Sequence, residues 1–518
     1  MTEIAMNGAE SLVLTLVGAG VDTCFSNPGT SEMHFVAALD SISGIRPILG
    51  LFEGAVTGMA DGYGRMAGKP AATLLHLGPG LANGLANLHN ARRAATPIVN
   101  IVGDHATYHA QYDAPLASDI MGFARPVSGW VHSSVSAKTV AADGARAVAA
   151  AYAPPGQIAT LILPADTAWN EAEGPAPALA RPQPSPVSDA AVGRAVSALR
   201  SGKKTAILMR GACLLDAGLA AAGRIATATS ARLLCDTFAP RLARGAGRVV
   251  IDRIPYFAEQ IVETLAEVEQ LILVGAKPPV SFFAYPGKPS WCLPEGAEVI
   301  HLAHAHEDGL GALEALASAL GASASGSVAS YARPDLPTGR LNQHTAGQII
   351  ARHLPEGAIL SDEGATSSGG TMAATITGPP HDHLPLTGGS IGQGIPLATG
   401  AAVARPDAKV VCIQGDGGAM YTLQALWTQA REKLDVTTVI FANHSYGILN
   451  VELARVGARN VGPKALSMLD LHNPELNFVK LASGLGVEAS RAETIEEFEA
   501  QFADAMAGKG PRLIEVMI

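Results

Sequence analysis

A chain of 518 residues that is 48% hydrophobic and only 16% charged is too long for one ordinary core and too apolar to be disordered, so two to four globular domains are expected. Its formal charge of −10 offers no basic footprint for nucleic acid or an anionic membrane, which leaves small molecules and other copies of the chain as the expected partners. Five scattered cysteines, Cys24, Cys213, Cys235, Cys292 and Cys412, form no CxxC pair and argue for a reducing compartment over a disulfide framework or a zinc site.

The opening segment MTEIAMNGAESLVLTLVGAG has no basic region ahead of its apolar residues and does not read as a signal peptide. No apolar run is long enough to span a bilayer, and a soluble cytoplasmic protein is expected. PILGLF (47–52) reads as a strand that delivers Glu53 to the start of a small-residue helix. The β-branched runs PIVNIVG (97–103), TLILPAD (160–166), LILVGA (271–276), AKVVCIQG (408–415) and TTVIFAN (437–443) alternate with Ala- and Leu-rich stretches of helical spacing. That alternation is the pattern of doubly wound parallel α/β sheets. Residues 171–189 and 321–340 are rich in Pro, Ala, Ser and Gly without apolar period, and both read as exposed linkers that cut the chain in three.

Chemistry concentrates in CIQGDGGAMY (412–421). The buried strand 408–414 stops at Asp416, residues 420–434 have helical spacing through Leu423, Trp427, Ala430 and Leu434, and the next strand ends on Asn443. Parallel strands of a βαβ unit end on the same edge, so Asp416 and Asn443 can touch one ion. A carboxylate, an amide oxygen and a main-chain carbonyl from the turn His444-Ser445-Tyr446-Gly447 are hard donors suited to Mg²⁺, with Ser445 the assigned turn ligand. Gly417, Gly418 and Ala419 then open a helix whose free N–H groups attract an anion. GDGG alone reads more readily as a tight turn; the helix, the second strand and Asn443 reverse that reading in favour of a diphosphate with a divalent metal.

That spacing, GDG followed by a helix, a strand and an Asn 27 positions after the Asp, resembles the thiamine diphosphate (ThDP) binding motif. The likeness covers nearly the whole chain, which resembles the 2-oxo acid decarboxylases and carboligases that include benzoylformate decarboxylase, pyruvate decarboxylase and the catalytic subunit of acetolactate synthase. The resemblance implies three doubly wound parallel-sheet α/β domains: a pyrimidine-binding domain over 1–170, a central domain over 190–320 and a diphosphate-binding domain over 341–518. It implies ThDP and Mg²⁺ as cofactors; FAD is not expected, because the middle segment is short for one that wraps it.

Site residues carry over one by one. Glu53 corresponds to the glutamate that bonds N1′ of the pyrimidine; flanked by Leu51, Phe52, Ala55 and Val56, it is expected to be partly desolvated and its pKa raised. FSNPGTSE (25–32) is similar to the NPG turn, which assigns Pro28 and Gly29 to the cofactor and Thr30 to the substrate side. LLHLGPG (74–80) is similar to the loop bearing an active-site histidine and lands on His76, a proton-relay or carboxylate-orienting candidate. LTGGSIGQGIP (386–396) is similar to the segment that bends ThDP, with the Gly389 carbonyl meeting the 4′-amino group and Ile391 wedged between the rings. DEGATSSGG (362–370) assigns Thr366, and the metal turn adds Tyr446 and Gly447. The implied reaction is non-oxidative decarboxylation of a 2-oxo acid through a ylide and an enamine, which is protonated to an aldehyde or ligated to a second carbonyl. Active sites shared between subunits of a homodimer or homotetramer are also implied.

The departures bear on substrate. Phe282 or Phe283 stands where benzoylformate decarboxylase has a second histidine, Leu449 replaces a pyruvate decarboxylase glutamate, and Gly103-Asp104 replaces the Gly-Gln of acetolactate synthases. His105 and His109 are weaker candidates in the region where pyruvate decarboxylases carry neighbouring histidines. His301, His304 and His306, like His381 and His383, are expected to be hydrogen-bonded or solvated, with no structural zinc. A catalytically silent ThDP-fold binding protein is the alternative from another class, and it would have no use for Glu53.

Overall fold

The computed structural model describes residues 5–518. Each β-branched run singled out above becomes a strand, and the strands sort into three sheets. The first has the spatial order Arg46–Leu49, Thr23–Asn27, Ala71–Leu75, Ile98–Asp104, Ile158–Pro164, Trp130–Ser133, every neighbour parallel. The second runs Asp252–Arg253, Arg232–Cys235, Thr205–Met209, Gln270–Val274, Glu298–Ala303, again parallel throughout. The third runs Glu488–Ala492, Arg512–Met517, Val436–Ala442, Val410–Gly415, Ile359–Glu363, His381–Pro385 and ends on Leu242–Arg244. That last strand comes from the middle of the chain and pairs antiparallel with His381–Pro385, while the other pairs are parallel.

Parallel strands need helical crossovers, and helices on both faces leave the strands fully apolar. Val410–Gly415 and Val436–Ala442 accordingly bury Val410, Val411, Cys412, Ile413, Val439 and Ile440 completely. The first and third sheets meet through two helices, Glu53–Ala67 and Gly394–Ala404, which share one hydrophobic core. Two glycines let them touch backbone to backbone. A side chain on Gly62 would begin 2.0 Å from the Leu397 carbonyl oxygen, and one on Gly400 would begin 1.8 Å from that of Met59.

A buried polar node then joins the three sheets' domains. Arg65 donates to both carboxylate oxygens of Asp61, to the carbonyls of Pro240 and Pro385, and to the Thr387 hydroxyl. Asp61 also accepts from Thr96 Oγ1 and Gln393 Nε2, each at 2.5 Å. Both charged side chains are out of water, and every oxygen and nitrogen has a partner, the condition under which a buried pair is tolerated. Residues 172–184 and 329–338 carry no helix or strand. Among the described residues no helix is long and apolar enough to cross a membrane.

Candidate active site

Ligands of doubly wound sheets sit beyond the carboxyl ends of strands where the strand order reverses. In the first sheet that reversal falls between Thr23–Asn27 and Ala71–Leu75, and in the third between Ile359–Glu363 and Val410–Gly415. The residues singled out from sequence follow the carboxyl ends of strands in these two sheets, so they form two half-sites.

In the first half-site the chain leaves Thr23–Asn27 through Pro28 and Gly29 and enters a short turn, Thr30–Glu32, with Thr30 exposed. Glu53 begins the helix Glu53–Ala67, is half-buried, and accepts a hydrogen bond from Asn83 Nδ2 at 3.0 Å. His76 caps the helix Leu77–Ala94, and Leu77 behind it has φ of +52°. A leucine in the left-handed region costs about 1–2 kcal/mol, the kind of backbone strain that clusters at functional positions. The imidazole of His76 lies over Gly29, its Cγ 2.3 Å from where a Gly29 Cβ would stand. A Cβ on Gly80 would stand 3.2 Å from Glu53 Oε1 and 3.4 Å from His76 Cβ, so the carboxylate and the histidine share one pocket wall.

The second half-site is drawn together by Asp416. Its Oδ2 accepts the main-chain N–H of His444 and its Oδ1 that of Gly417, both at 2.7 Å. Asn443 Oδ1 accepts from Ser445 N–H at 3.0 Å, and the Ser445 carbonyl accepts from Gly447 N–H at 2.8 Å. Asp416 and Asn443 thus follow the carboxyl ends of neighbouring parallel strands, as the βαβ geometry requires. Burial raises the Asp416 carboxyl pKa, against the main-chain N–H groups of Gly417 and His444 that lower it. A divalent cation would offset that burial, and the hard oxygen donors fit Mg²⁺.

Glycine is demanded around this turn. A Cβ on Gly417 would meet the Tyr446 ring at 2.4 Å, and one on Gly447 would sit 3.3 Å from Asn443 Nδ2 and 3.5 Å from Thr366 Oγ1. Gly417 thus packs on Tyr446, and Gly447 lies beside Asn443 and Thr366, while Gly418 faces Gln414 and Glu363. One local prediction is corrected: residues 420–434 are not a single helix. A four-residue helix Asp416–Ala419 precedes a turn, and the longer helix is Ala425–Glu432. The break forms where Thr422 Oγ1 turns aside to donate to the Gly392 carbonyl at 2.8 Å.

Gly389 and Ile391 lie in the segment after His381–Pro385, which is clamped from two sides. Glu363, fully buried, accepts from the main-chain N–H of Gly392 at 2.5 Å and of Gly394. From the first domain, Asn87 Nδ2 donates to the Gly392 carbonyl at 3.2 Å and to that of Gly54 at 2.8 Å, and Asn90 Nδ2 to the Ser390 carbonyl at 2.7 Å. Burial pushes the Glu363 carboxyl up to about 7 despite its donors. Its neighbour Asp362 is equally buried, yet hydrogen bonds from His383 and Ser368 hold it at about 2. Sequence reasoning passed over Glu363, Asn83, Asn87 and Asn90; two acids closing the apolar run ILSDE were the available signal.

The remaining candidates are placed as follows. Phe282 packs on Gly389, its Cζ 2.7 Å from where a Cβ would stand, and Gly389 takes φ of +77°. Phe283 stacks edge-on against Phe282, and Leu449 is exposed on the helix Gly447–Arg455. His105 and His109 follow Ile98–Asp104 with ring centroids 5.4 Å apart, and neither bonds to Glu53 or His76. His301 and His304 stack at 4.7 Å beyond the second sheet.

Comparison with known proteins decides the family. Residues 6–124 match the family model described as thiamine pyrophosphate enzyme, N-terminal TPP binding domain, and residues 364–516 match its C-terminal TPP binding domain. The chain belongs to the thiamine pyrophosphate enzyme family. It is 53% identical over 99% of both chains to a Mycobacterium tuberculosis protein that carries the provisional name acetolactate synthase large subunit IlvX. It is 30% identical to benzoylformate decarboxylase of Pseudomonas aeruginosa over 96% of both chains. In structure it is similar to the ThDP-dependent 4-hydroxybenzoylformate decarboxylase of Rhodococcus jostii, with a TM-score of 0.86, 25% identity and 99% coverage of both chains. It is a ThDP-dependent enzyme of the decarboxylase and acetolactate synthase family.

Proposed function

We propose that the chain catalyses Mg²⁺-dependent, non-oxidative decarboxylation of a 2-oxo acid and either releases an aldehyde or joins the remaining fragment to a second carbonyl. The observation that supports this is the Asp416–His444 link at the carboxyl ends of Val410–Gly415 and Val436–Ala442, which ties the Asp416 carboxylate to the turn carrying Asn443 and Ser445. When bound, ThDP supplies the electron sink for the pair released as CO₂ departs.

The chain's own residues do the rest. Asp416, Asn443 and the Ser445 carbonyl hold Mg²⁺; Gly417, Gly418, Ala419, Thr366, Tyr446 and Gly447 line the diphosphate cradle. Pro28, Gly29, the Gly389 carbonyl and Ile391 seat the pyrimidine. Glu53 holds a proton at the pyrimidine N1′, general acid–base chemistry at one remove from the reacting carbon. His76 and Thr30 face the substrate, where the imidazole orients the carboxylate or relays a proton.

Members of the thiamine pyrophosphate enzyme family are typically oligomeric. This supports a homodimer or homotetramer in which one subunit's first half-site faces its partner's second. A second reaction, transfer to make 2-acetohydroxy acids, is favoured by the name of the 53% identical mycobacterial relative. Incubating the chain, ThDP and Mg²⁺ separately with pyruvate and with benzoylformate distinguishes them: aldehyde marks simple decarboxylation, acetohydroxy acid or acyloin marks ligation. Failure of the protein to take up ThDP and Mg²⁺ saturably would refute both.

A further inference from the structure

Behind His76 lies a carboxylate for which the reaction proposed above has no use. Glu32, the last residue of the turn Thr30–Glu32, is 1% exposed. Charged side chains are seldom fully buried without partners, and here three donors converge on it. One oxygen, Oε2, accepts the main-chain N–H of Gly29 at 2.7 Å and lies 2.8 Å from His76 Nδ1. The other, Oε1, accepts from the Ser31 hydroxyl at 2.7 Å.

Two backbone positions are kept free of side chains to house the pair. A Cβ on Gly103, at the end of the neighbouring strand Ile98–Asp104, would fall 1.6 Å from Glu32 Oε1, and one on Gly29 would fall 2.3 Å from His76 Cγ and Nδ1. The strained Leu77 fixes the backbone next to the histidine. His76 Nε2 makes no hydrogen bond among the described residues, and the side chain retains 24% exposure.

An ionised carboxylate only accepts, so the nitrogen facing it must carry the hydrogen. We propose that Glu32 is a positioning residue that locks neutral His76 in the Nδ1–H tautomer and so presents Nε2, unprotonated, to the crevice shared with Glu53. The neutral ring then accepts a hydrogen bond or a proton from a substrate hydroxyl or acid at Nε2. It donates there only after taking up a proton. The proposal rests on the role given to His76 above and selects proton relay over carboxylate orientation, because a bare Nε2 has no hydrogen to give a carboxylate.

Full-length protein labelled with ¹⁵N-histidine, with the His76 signals assigned by their loss in His76→Gln, reports the tautomer directly. The expected result is a protonated Nδ1 and a bare Nε2; an Nε2–H tautomer in the native chain overturns the proposal. Glu32→Leu removes the acceptor and is expected to release the ring to the Nε2–H form. It should lower kcat by about 10-fold or more, the usual loss when an orienting partner is removed, with KM nearly unchanged. Glu32→Gln can place its amide oxygen at the Oε2 position and is expected to restore the tautomer and part of kcat. A Leu variant with native tautomer or native kcat, or loss of ThDP uptake in both variants, overturns the proposal. A native chain inactive on every 2-oxo acid refutes the reaction instead, and the tautomer still decides the part played by Glu32.

Discussion

Asp416 and His444 stand at the tips of neighbouring strands, joined by a 2.7 Å hydrogen bond from the His444 main-chain N–H to the Asp416 carboxylate. That bond ties the turn 443–447 to the strand that precedes the glycines. Asp416→Asn removes the only carboxylate among the proposed ligands. ThDP affinity in the presence of Mg²⁺ should fall by roughly 100-fold, the ~3 kcal/mol of a lost charged contact, in a tryptophan-fluorescence titration. Native affinity in this variant would contradict the assignment.

The Glu53 carboxylate hydrogen-bonds only to Asn83 among the described residues, so changing it leaves the turn at Asp416 untouched. Glu53→Gln is expected to keep cofactor affinity within a few-fold while C2 proton exchange of bound ThDP slows by about 10² or more. Acid-quenched deuterium exchange read by NMR measures it, and exchange at the native rate would sink the acid–base role.

Arg65 is the bolt between domains, since its five donated bonds reach Asp61, Pro240, Pro385 and Thr387. Arg65→Met strands the Asp61 charge in the core, and the variant should lose about 3–5 kcal/mol of stability in urea. Replacing Asp61 by Asn in the same background should recover part of that loss.

His381 provides a pH prediction. Burial pushes its imidazole down to about 3 from an ordinary 6.5, so it stays neutral in the folded chain where the unfolded chain binds a proton. The associated stability is complete above pH 6.5 and drains away as pH falls towards 3, by up to ~1.4 kcal/mol per pH unit. His381→Asn should flatten that acid limb in urea midpoints measured between pH 7 and 4; an unchanged slope would contradict the burial.

Much of the fold was legible because fully buried parallel strands are β-branched runs, and PIVNIVG, TLILPAD, LILVGA, AKVVCIQG and TTVIFAN all fell where they were expected. Asp416 and Asn443 were legible because a βαβ unit fixes where two strands end. Glu32, Glu363 and Arg65 were not. Their partners lie as far as 322 positions away, and burial of a charge leaves no periodic trace in sequence. Leu242–Arg244 was equally hidden, because three residues carry no period and their pairing partner lies beyond a linker. The break at 420–424 escaped notice because helical spacing of apolar residues continues through it, while Thr422 answers to a carbonyl 30 positions upstream.

That borrowed strand has a consequence for anyone dissecting the protein. Severing the polypeptide near residue 340 would leave the C-terminal portion with His381–Pro385 as a bare flank, its main-chain groups open to any passing strand. Such a fragment is expected to self-associate, and adding back a peptide that spans residues 240–246 should restore its solubility.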